Sequence, residues 1–243
     1  MNTTKELFDN LEQLKIGLDD PFYFKCRSCG KCCKNREDIL LSPHDLFQIA
    51  KHFGKTVQTI AEEYCHCYIG QNSRFPIIRL RPRGVNNACP FLVDKKCQIH
   101  ACKPAVCALF PLGRFLLAKE PQGNEPLEYT AGYILQSTEC GSRKKSNTVR
   151  QWLEKFDVPV DDPFYTEWNM FRGDTSITLR KLEETITEQL FVDLQNALIE
   201  LLYIQYNTAE EFLPQFSKRV ARAKELVHSL QPHLQGGGDD SET

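Results

Sequence analysis

The sequence predicts an α+β protein, predominantly α, in which an irregular cysteine-rich region with short strands precedes a helical C-terminal part. Three observations carry that prediction. Ten of the eleven cysteines fall between Cys26 and Cys107. Runs rich in β-branched and aromatic residues are short and bounded by turn formers. Beyond Gly141, leucines and isoleucines recur at helical spacing over long stretches.

Residues 3–17 read as an amphipathic helix, with Leu7, Phe8, Leu11, Leu14 and Leu18 on one side, packed on the region that follows. Pro21 and the aromatic run Phe22-Tyr23-Phe24 lead into the first cysteines. Ser42-Pro43 reads as a helix cap followed by proline at the first helical position. Leu46, Phe47, Ile49, Ala50 and Phe53 give that helix its apolar face, and Gly54 ends it. A second helix covers Thr56 to Tyr64, and Phe75 to Leu80 reads as a short strand. Cys89 to Pro111 holds three prolines and four cysteines and reads as irregular chain. Arg114–Ala118 and Tyr129–Leu135 are expected to pair as strands across a Pro/Gly/Asn loop at 121–126.

The polar, basic stretch Ser142 to Asn147 reads as a linker. Thr148–Phe156 and Pro163–Phe171 read as short helices, Ser176–Tyr206 as one long amphipathic helix, and Ala209–Leu230 as another. Residues 235–243 form a Gly/Asp/Ser tail with nothing to bury. The expected organisation is an N-terminal helix (1–19), a cysteine-cluster domain (20–141), a helical C-terminal region (142–234) and a disordered tail (235–243). The pentapeptide Asp-Asp-Pro-Phe-Tyr occurs at 19–23 and again at 161–165. It reads as two acidic helix starts with proline rather than as a repeat.

The 243 residues, 41% hydrophobic and 26% charged, are ordinary for a globular chain. Thirty basic against 32 acidic residues leave a net charge of −2, which does not support a general polyanion binder. No stretch approaches the roughly 20 apolar residues of a membrane span. Residues 1–20 lack the apolar core of a signal peptide. With an odd cysteine count as well, a reducing, cytoplasmic setting with thiolates on metal fits better than a disulfide framework.

Cys26-x-x-Cys29-x-x-Cys32-Cys33 is the strongest motif. A C-x-x-C knuckle brings two sulfurs to about 2.3 Å from one ion, and Gly30 permits the turn after the second ligand. Adjacent residues point their side chains apart. Cys32 and Cys33 therefore imply two neighbouring sites, a polynuclear cluster, or one thiol held in reserve as an outer or redox group. Cys89, Cys97, Cys102 and Cys107 supply further sulfurs. The intervals from Cys97 to Cys102 and on to Cys107 do not line one helical face, and Pro104 interrupts them, so these thiols converge through turns. Arg27, Lys31, Lys34, Arg36, Lys95, Lys96 and Lys103 lie among the cysteines, where cations lower thiol pKa and offset thiolate charge. Cys65 and Cys67 read equally well as core thiols. His44 fits a helix's first turn better than a metal.

These residues together resemble a known family. The C-x-x-C-x-x-C-C start, Ser-Pro-His-Asp at 42–45, Cys-Pro-Phe-Leu…Cys-x-Ile-His at 89–100 and Lys-Pro-x-x-Cys-x-x-Phe-Pro at 103–111 look like the YkgJ-type cysteine cluster family. That is a zinc- or iron-chelating type, related to the cysteine-rich part of flagellin lysine N-methylases. The resemblance covers roughly 20–141. It implies that Cys26, Cys29, Cys32, Cys33, Cys89, Cys97, Cys107 and Cys140 are metal ligands, with Cys102 a lesser candidate. Cys102, Lys103, Ala108 and His100 depart from the family's usual residues, and Cys65-His66-Cys67 is an addition.

The expected function is metal binding by zinc or iron, as ions or as an iron–sulfur cluster, because all-sulfur ligation suits both. The alternatives are an iron–sulfur enzyme of methylase or redox type, and a zinc-dependent nucleic-acid binder. No Gly-rich dinucleotide or P-loop fingerprint supports the former. The C-x-x-x-C-x-x-C spacing fails too, because Arg36 stands at its third position. Short basic runs at Arg74–Arg83 and Arg143–Lys145 are all that favour the latter. Metal ions are the expected partners. The C-terminal leucine stripe offers a surface for a protein partner, although such stripes are more often core.

Overall fold

The computed structural model describes residues 14–27, 29–36, 38–118, 128–138 and 140–231. The chain folds as two compact units. It is α+β, with short antiparallel strands and seven α-helices among the described residues.

Unit 1 comprises Met1–Lys34, Phe91–Gln98 and Ala105–Glu167. Strand β1 (Pro21–Lys25) pairs antiparallel with β9 (Ser142–Thr148), matching Phe22 to Asn147, Tyr23 to Ser146 and Lys25 to Ser142. The register slips between Tyr23 and Lys25, so β9 carries the extra residues of a bulge there. Strand β7 (Leu112–Ala118) pairs with β8 (Tyr129–Leu135) in the expected hairpin, from Leu112 opposite Leu135 to Ala118 opposite Tyr129. A tight hairpin of β5 (Leu92–Val93) and β6 (Lys96–Cys97) turns through Asp94 and Lys95, both at positive φ.

The core of this unit is Phe22, Phe24, Leu109, Leu112, Tyr133, Val149, Trp152 and Leu153. Trp152 lies on the short helix α4 (Val149–Glu154), which opens on a capping box between Thr148 and Gln151. It meets Phe22 and Phe24 edge-on at 5.7 and 5.6 Å. Its indole N–H donates to the carbonyls of Ala108 (3.2 Å) and Leu109 (3.1 Å) at the end of helix α3 (Ala105–Leu109). One side chain thus fixes both the strand that leads into Cys26 and the helix that carries Cys107.

Unit 2 comprises Asn35–Pro90, Ile99–Pro104 and Trp168–Thr243. A three-stranded sheet, ordered β2 (Leu40–Leu41), β4 (Pro76–Leu80), β3 (Cys65–Ile69), is antiparallel throughout. Helix α1 (Pro43–Phe53) begins as expected. Ser42 Oγ accepts from the Asp45 N–H and the Asp45 carboxylate accepts from the Ser42 N–H, while Gly54 in the left-handed region ends the helix. Helix α2 (Val57–Tyr64) is capped by Thr56. His44 lies in α1's first turn, 3.0 Å from Gln48 and packed on Phe212.

Helix α5 (Pro163–Glu183) begins in unit 1 and ends in unit 2. It is followed by α6 (Glu188–Ile199), a π-helical turn (Glu200–Ile204) and α7 (Phe212–Ser229). Aromatic rings pack the core of unit 2: Phe75 on Trp168 and Phe171, and Trp168 on Tyr203 and Phe216. The buried Tyr203 hydroxyl donates to the Pro76 carbonyl at 3.1 Å.

Several sequence expectations are corrected. The single helix over Ser176–Tyr206 is broken, because Thr187 caps a new helix by accepting from the Leu190 N–H. The linker Ser142–Asn147 is strand β9. Its own sequence lacks apolar alternation, and the buried face of the ribbon comes from Phe22 and Phe24 of β1. Most of the helix over 3–17 lies outside the described residues. Leu14 is helical, but from Lys15 the chain is extended: Lys15 bridges Ile134 and the Ile16 N–H donates to the Tyr133 carbonyl at 2.9 Å. The repeated Asp-Asp-Pro-Phe-Tyr starts a strand at its first copy. Only at the second does it start a helix, where Asp162 Oδ1 accepts from the Tyr165 N–H. The tail 235–243 lies outside the described residues. No helix among the described residues is long and apolar enough to cross a membrane.

Candidate metal centre

The cysteines of unit 1 are assembled by strand pairing. Antiparallel register carries β1 to Lys25 opposite Ser142. Cys26, just past the end of β1, is thereby set beside Cys140-Gly141, just before the start of β9. The chain then turns at Gly30, whose φ is +69°, into a 3₁₀ turn over Lys31–Cys33, with the Cys33 N–H donating to the Gly30 carbonyl at 3.1 Å. Gly30 was the expected turn residue, and its backbone lies in the region that favours glycine. Gly141 has φ +78°, and a Cβ there would run into the ring of Phe24. The buried Asn147 donates its side-chain N–H to the Phe24 carbonyl at 2.8 Å, pinning the two strands across the bulge.

The result is a thiol pair that the sequence alone does not reveal. Cys29 Sγ and Cys140 Sγ are 3.7 Å apart. Two sulfurs on one tetrahedral ion, each about 2.3 Å from it, are about 3.8 Å apart. Cys32 Sγ and Cys33 Sγ are 3.9 Å apart, which corrects the expectation that adjacent thiols diverge. The expectation came from helix and strand geometry, whereas these residues sit in a 3₁₀ turn.

Electrostatics tie four cysteines into one group. Cys29 is held below the ordinary thiol range, first by the Lys31 backbone N–H pointing at its sulfur and further by the Cys140 thiol. Cys140 is pushed up to about 11, by burial first, then by its hydrogen bond with Cys29 and by negative charge on Cys29, Cys32 and Cys26. Of the two, Cys29 is therefore the sulfur that gives up its proton first. Arg27, Lys31, Lys34, Arg143, Lys144 and Lys145 are exposed in the same unit, on the knuckle and on the bulged strand β9. Positive charge so placed favours the thiolate form of neighbouring cysteines.

The remaining candidates fall as follows. Cys97 is half-buried at the end of the β5–β6 hairpin, opposite Leu92. The Leu92 methyls come within 3.5 Å of where a Gly30 Cβ would stand. Cys107 is half-buried on α3. Both belong to unit 1. Cys89 and Cys102 are half-buried in unit 2, Cys102 in the 3₁₀ turn His100–Cys102. Cys65 is buried in β3, where burial pushes its thiol up to about 12. Cys67 is exposed, and its thiol is also raised by packing around it. No disulfide joins the eleven cysteines. Among the described residues no group of three or more His, Cys, Asp or Glu side chains is already arranged to hold an ion.

Residues 25–130 match the family model CxxCxxCC, described as "Putative zinc- or iron-chelating domain". The resemblance read from the motifs is thus borne out, and metal chelation is the property by which this domain is described. Neither the curated proteins nor the solved structures gave a match. Cys140 lies beyond the matched span, yet the β1–β9 pairing returns it to the CxxCxxCC knuckle. The residues that do this, Gly141, Asn147 and Trp152, carry no motif. The positive φ of Gly141 is the kind of feature that Cys-Gly can signal in sequence.

Proposed function

We propose that the CxxCxxCC domain holds zinc or iron through thiolates, with Cys26, Cys29, Cys32 and Cys140 as the central ligand set. The observation that carries this is the Cys29–Cys140 sulfur pair, 3.7 Å apart at the edge length of a tetrahedral thiolate site. Its electrostatic coupling to Cys26 and Cys32 adds two more sulfurs. Cys26 and Cys32 complete a four-sulfur set with that pair. Cys33, adjacent to Cys32, and Cys97 and Cys107 in the same unit extend the sulfur supply, which suits a second ion or a polynuclear centre. Cys89 and Cys102, in unit 2, are further candidate thiols of the cysteine-rich region 20–141, separate from this set.

The role of such a centre is structural or metal-handling, in a reducing, cytoplasmic setting. Ligand deprotonation links binding to proton release, and binding free energy adds directly to folding. The test is metal and acid-labile sulfide content of protein purified without oxygen, for wild type, Cys29→Ser and Cys140→Ser. Zinc or iron in the wild type, lost or much reduced in both variants together with a lower melting temperature, is expected. Sulfide matching iron identifies a cluster, and zinc without sulfide identifies a mononuclear site. Metal retained in both variants with unchanged melting would remove this pair from the centre.

A further inference from the structure

Cys29 and Cys140 differ in access as well as lying close together. Their sulfurs are 3.7 Å apart although the residues are 111 positions apart in sequence. Cys29 is exposed and Cys140 is half-buried. A small reagent from solvent therefore reaches Cys29 first and finds Cys140 behind it. Cys140 is held in that position. Its N–H donates to Thr138 Oγ1 at 3.0 Å, Gly141 packs against the Phe24 ring, and β9 then pairs with β1. The other close pair, Cys32 and Cys33, is poorly placed to form a bond. Adjacent Cα atoms are about 3.8 Å apart across a trans peptide, shorter than the roughly 4.4–6.8 Å that a disulfide spans.

We propose that Cys29 and Cys140 are a redox pair that closes to a disulfide with low-molecular-weight disulfides, and that closure discharges the metal. The second half rests on the metal-centre reading above. The Cys29 thiolate attacks one sulfur of oxidised glutathione, forming a mixed disulfide and expelling one glutathione thiolate. In the loaded protein Cys140 is already a thiolate, and in the metal-free protein it first gives its proton to solvent; its thiolate then attacks Cys29 Sγ. That step forms the Cys29–Cys140 bond and expels the second glutathione thiolate. The two cysteines lose an electron pair, the reagent gains it, and a mononuclear ion leaves with its charge unchanged. Two of the four central ligands are then no longer thiolates, so the site cannot hold the ion.

The experiment uses the full chain, reduced and then loaded with zinc, exposed to rising ratios of oxidised to reduced glutathione, and quenched in acid. Trypsin cutting after Lys25, Arg27, Lys31 and Lys34 puts Cys26, Cys29 and the Cys32–Cys33 pair on separate peptides, so the partners of each sulfur can be read by mass. The expected result is a Cys29–Cys140 cross-link that forms first, zinc released one for one with it, and reversal of both by dithiothreitol. Cys140→Ser should leave glutathione attached to Cys29. The metal-free wild type, run in parallel, should give the same cross-link. A chain that never takes up zinc yet forms this cross-link overturns the metal reading and keeps the redox pair. Zinc binding with glutathione remaining on wild-type Cys29, or with another pair cross-linked first, overturns the redox pair and keeps the metal reading.

Discussion

Replacing Gly141 by alanine probes the geometry that brings Cys140 to Cys29. Gly141 has φ +78°, and a Cβ built on it meets the Phe24 ring that the core packs against β1. A non-glycine residue in the left-handed region costs about 1–2 kcal/mol. Forcing a methyl into a packed core typically costs about 1–3 kcal/mol. Restricting the unfolded chain offsets about 0.4–1 kcal/mol of this. The net destabilisation of Gly141→Ala is therefore about 1–5 kcal/mol. Gly30→Ala is the matched control. Gly30 has φ +69°, but a Cβ there would meet only the Leu92 methyls at 3.5 Å, an ordinary contact. Its cost is the backbone alone, about 1 kcal/mol. The assay is urea unfolding of the metal-free protein in a Trp168→Phe background, where Trp152 fluorescence alone reports and Trp152 packs on Phe24. Gly141→Ala should shift the midpoint well beyond Gly30→Ala at an unchanged slope, and should also weaken zinc uptake by displacing Cys140. Equal midpoints for the two variants would refute the Phe24–Gly141 contact, and with it the β1–β9 register that places Cys140.

The buried ion pair in unit 1 makes a sharper demand on stability. Arg114, its side chain 4% exposed, donates to Asp162 at 3.0 Å and lies 3.9 Å over the Tyr165 ring. Asp162→Ala strands that guanidinium and should cost about 3–5 kcal/mol. Arg114→Met, which leaves behind the more exposed partner, should cost clearly less. Urea midpoints in the reverse order would show that the pair does not act this way. Thiol reactivity should sort by position: in the metal-free protein iodoacetamide labels exposed Cys29 early and Cys65 last. Burial pushes Cys65 up to about 12 from an ordinary 9.0, so its thiolate is about a thousandfold scarcer at neutral pH. Early labelling of Cys65 in folded protein contradicts its burial. The raised Cys65 value also sets a sign. Its contribution to stability is full below the unfolded thiol pKa and is lost as pH rises through the folded one. Cys65→Val should therefore flatten the alkaline fall in melting temperature, and an unchanged fall counts against this.

Local rules were enough for much of this protein. Ser42-Pro43-His44-Asp45 contains both halves of a capping box within four residues, and Gly54 stops the same helix, so α1 needs no partner to be read. The hairpin of β7 and β8 is likewise written in two runs that pair across one loop. Gly30 between Cys29 and Cys32 marks its own left-handed turn. The chemistry of the site was legible for a similar reason: thiols in C-x-x-C spacing are few bonds apart, and softness is a property of the atom. What required the tertiary structure was everything that depends on a distant segment. Ser142–Thr148 has no apolar alternation, and it becomes a strand only because β1, more than a hundred residues earlier, supplies Phe22 and Phe24 to the buried face. That pairing alone makes Cys140 the neighbour of Cys29. The same dependence separates Cys65 from Cys67. Two residues apart on one strand and alike in sequence, one is buried and the other exposed because burial is decided by what the rest of the chain lays over them.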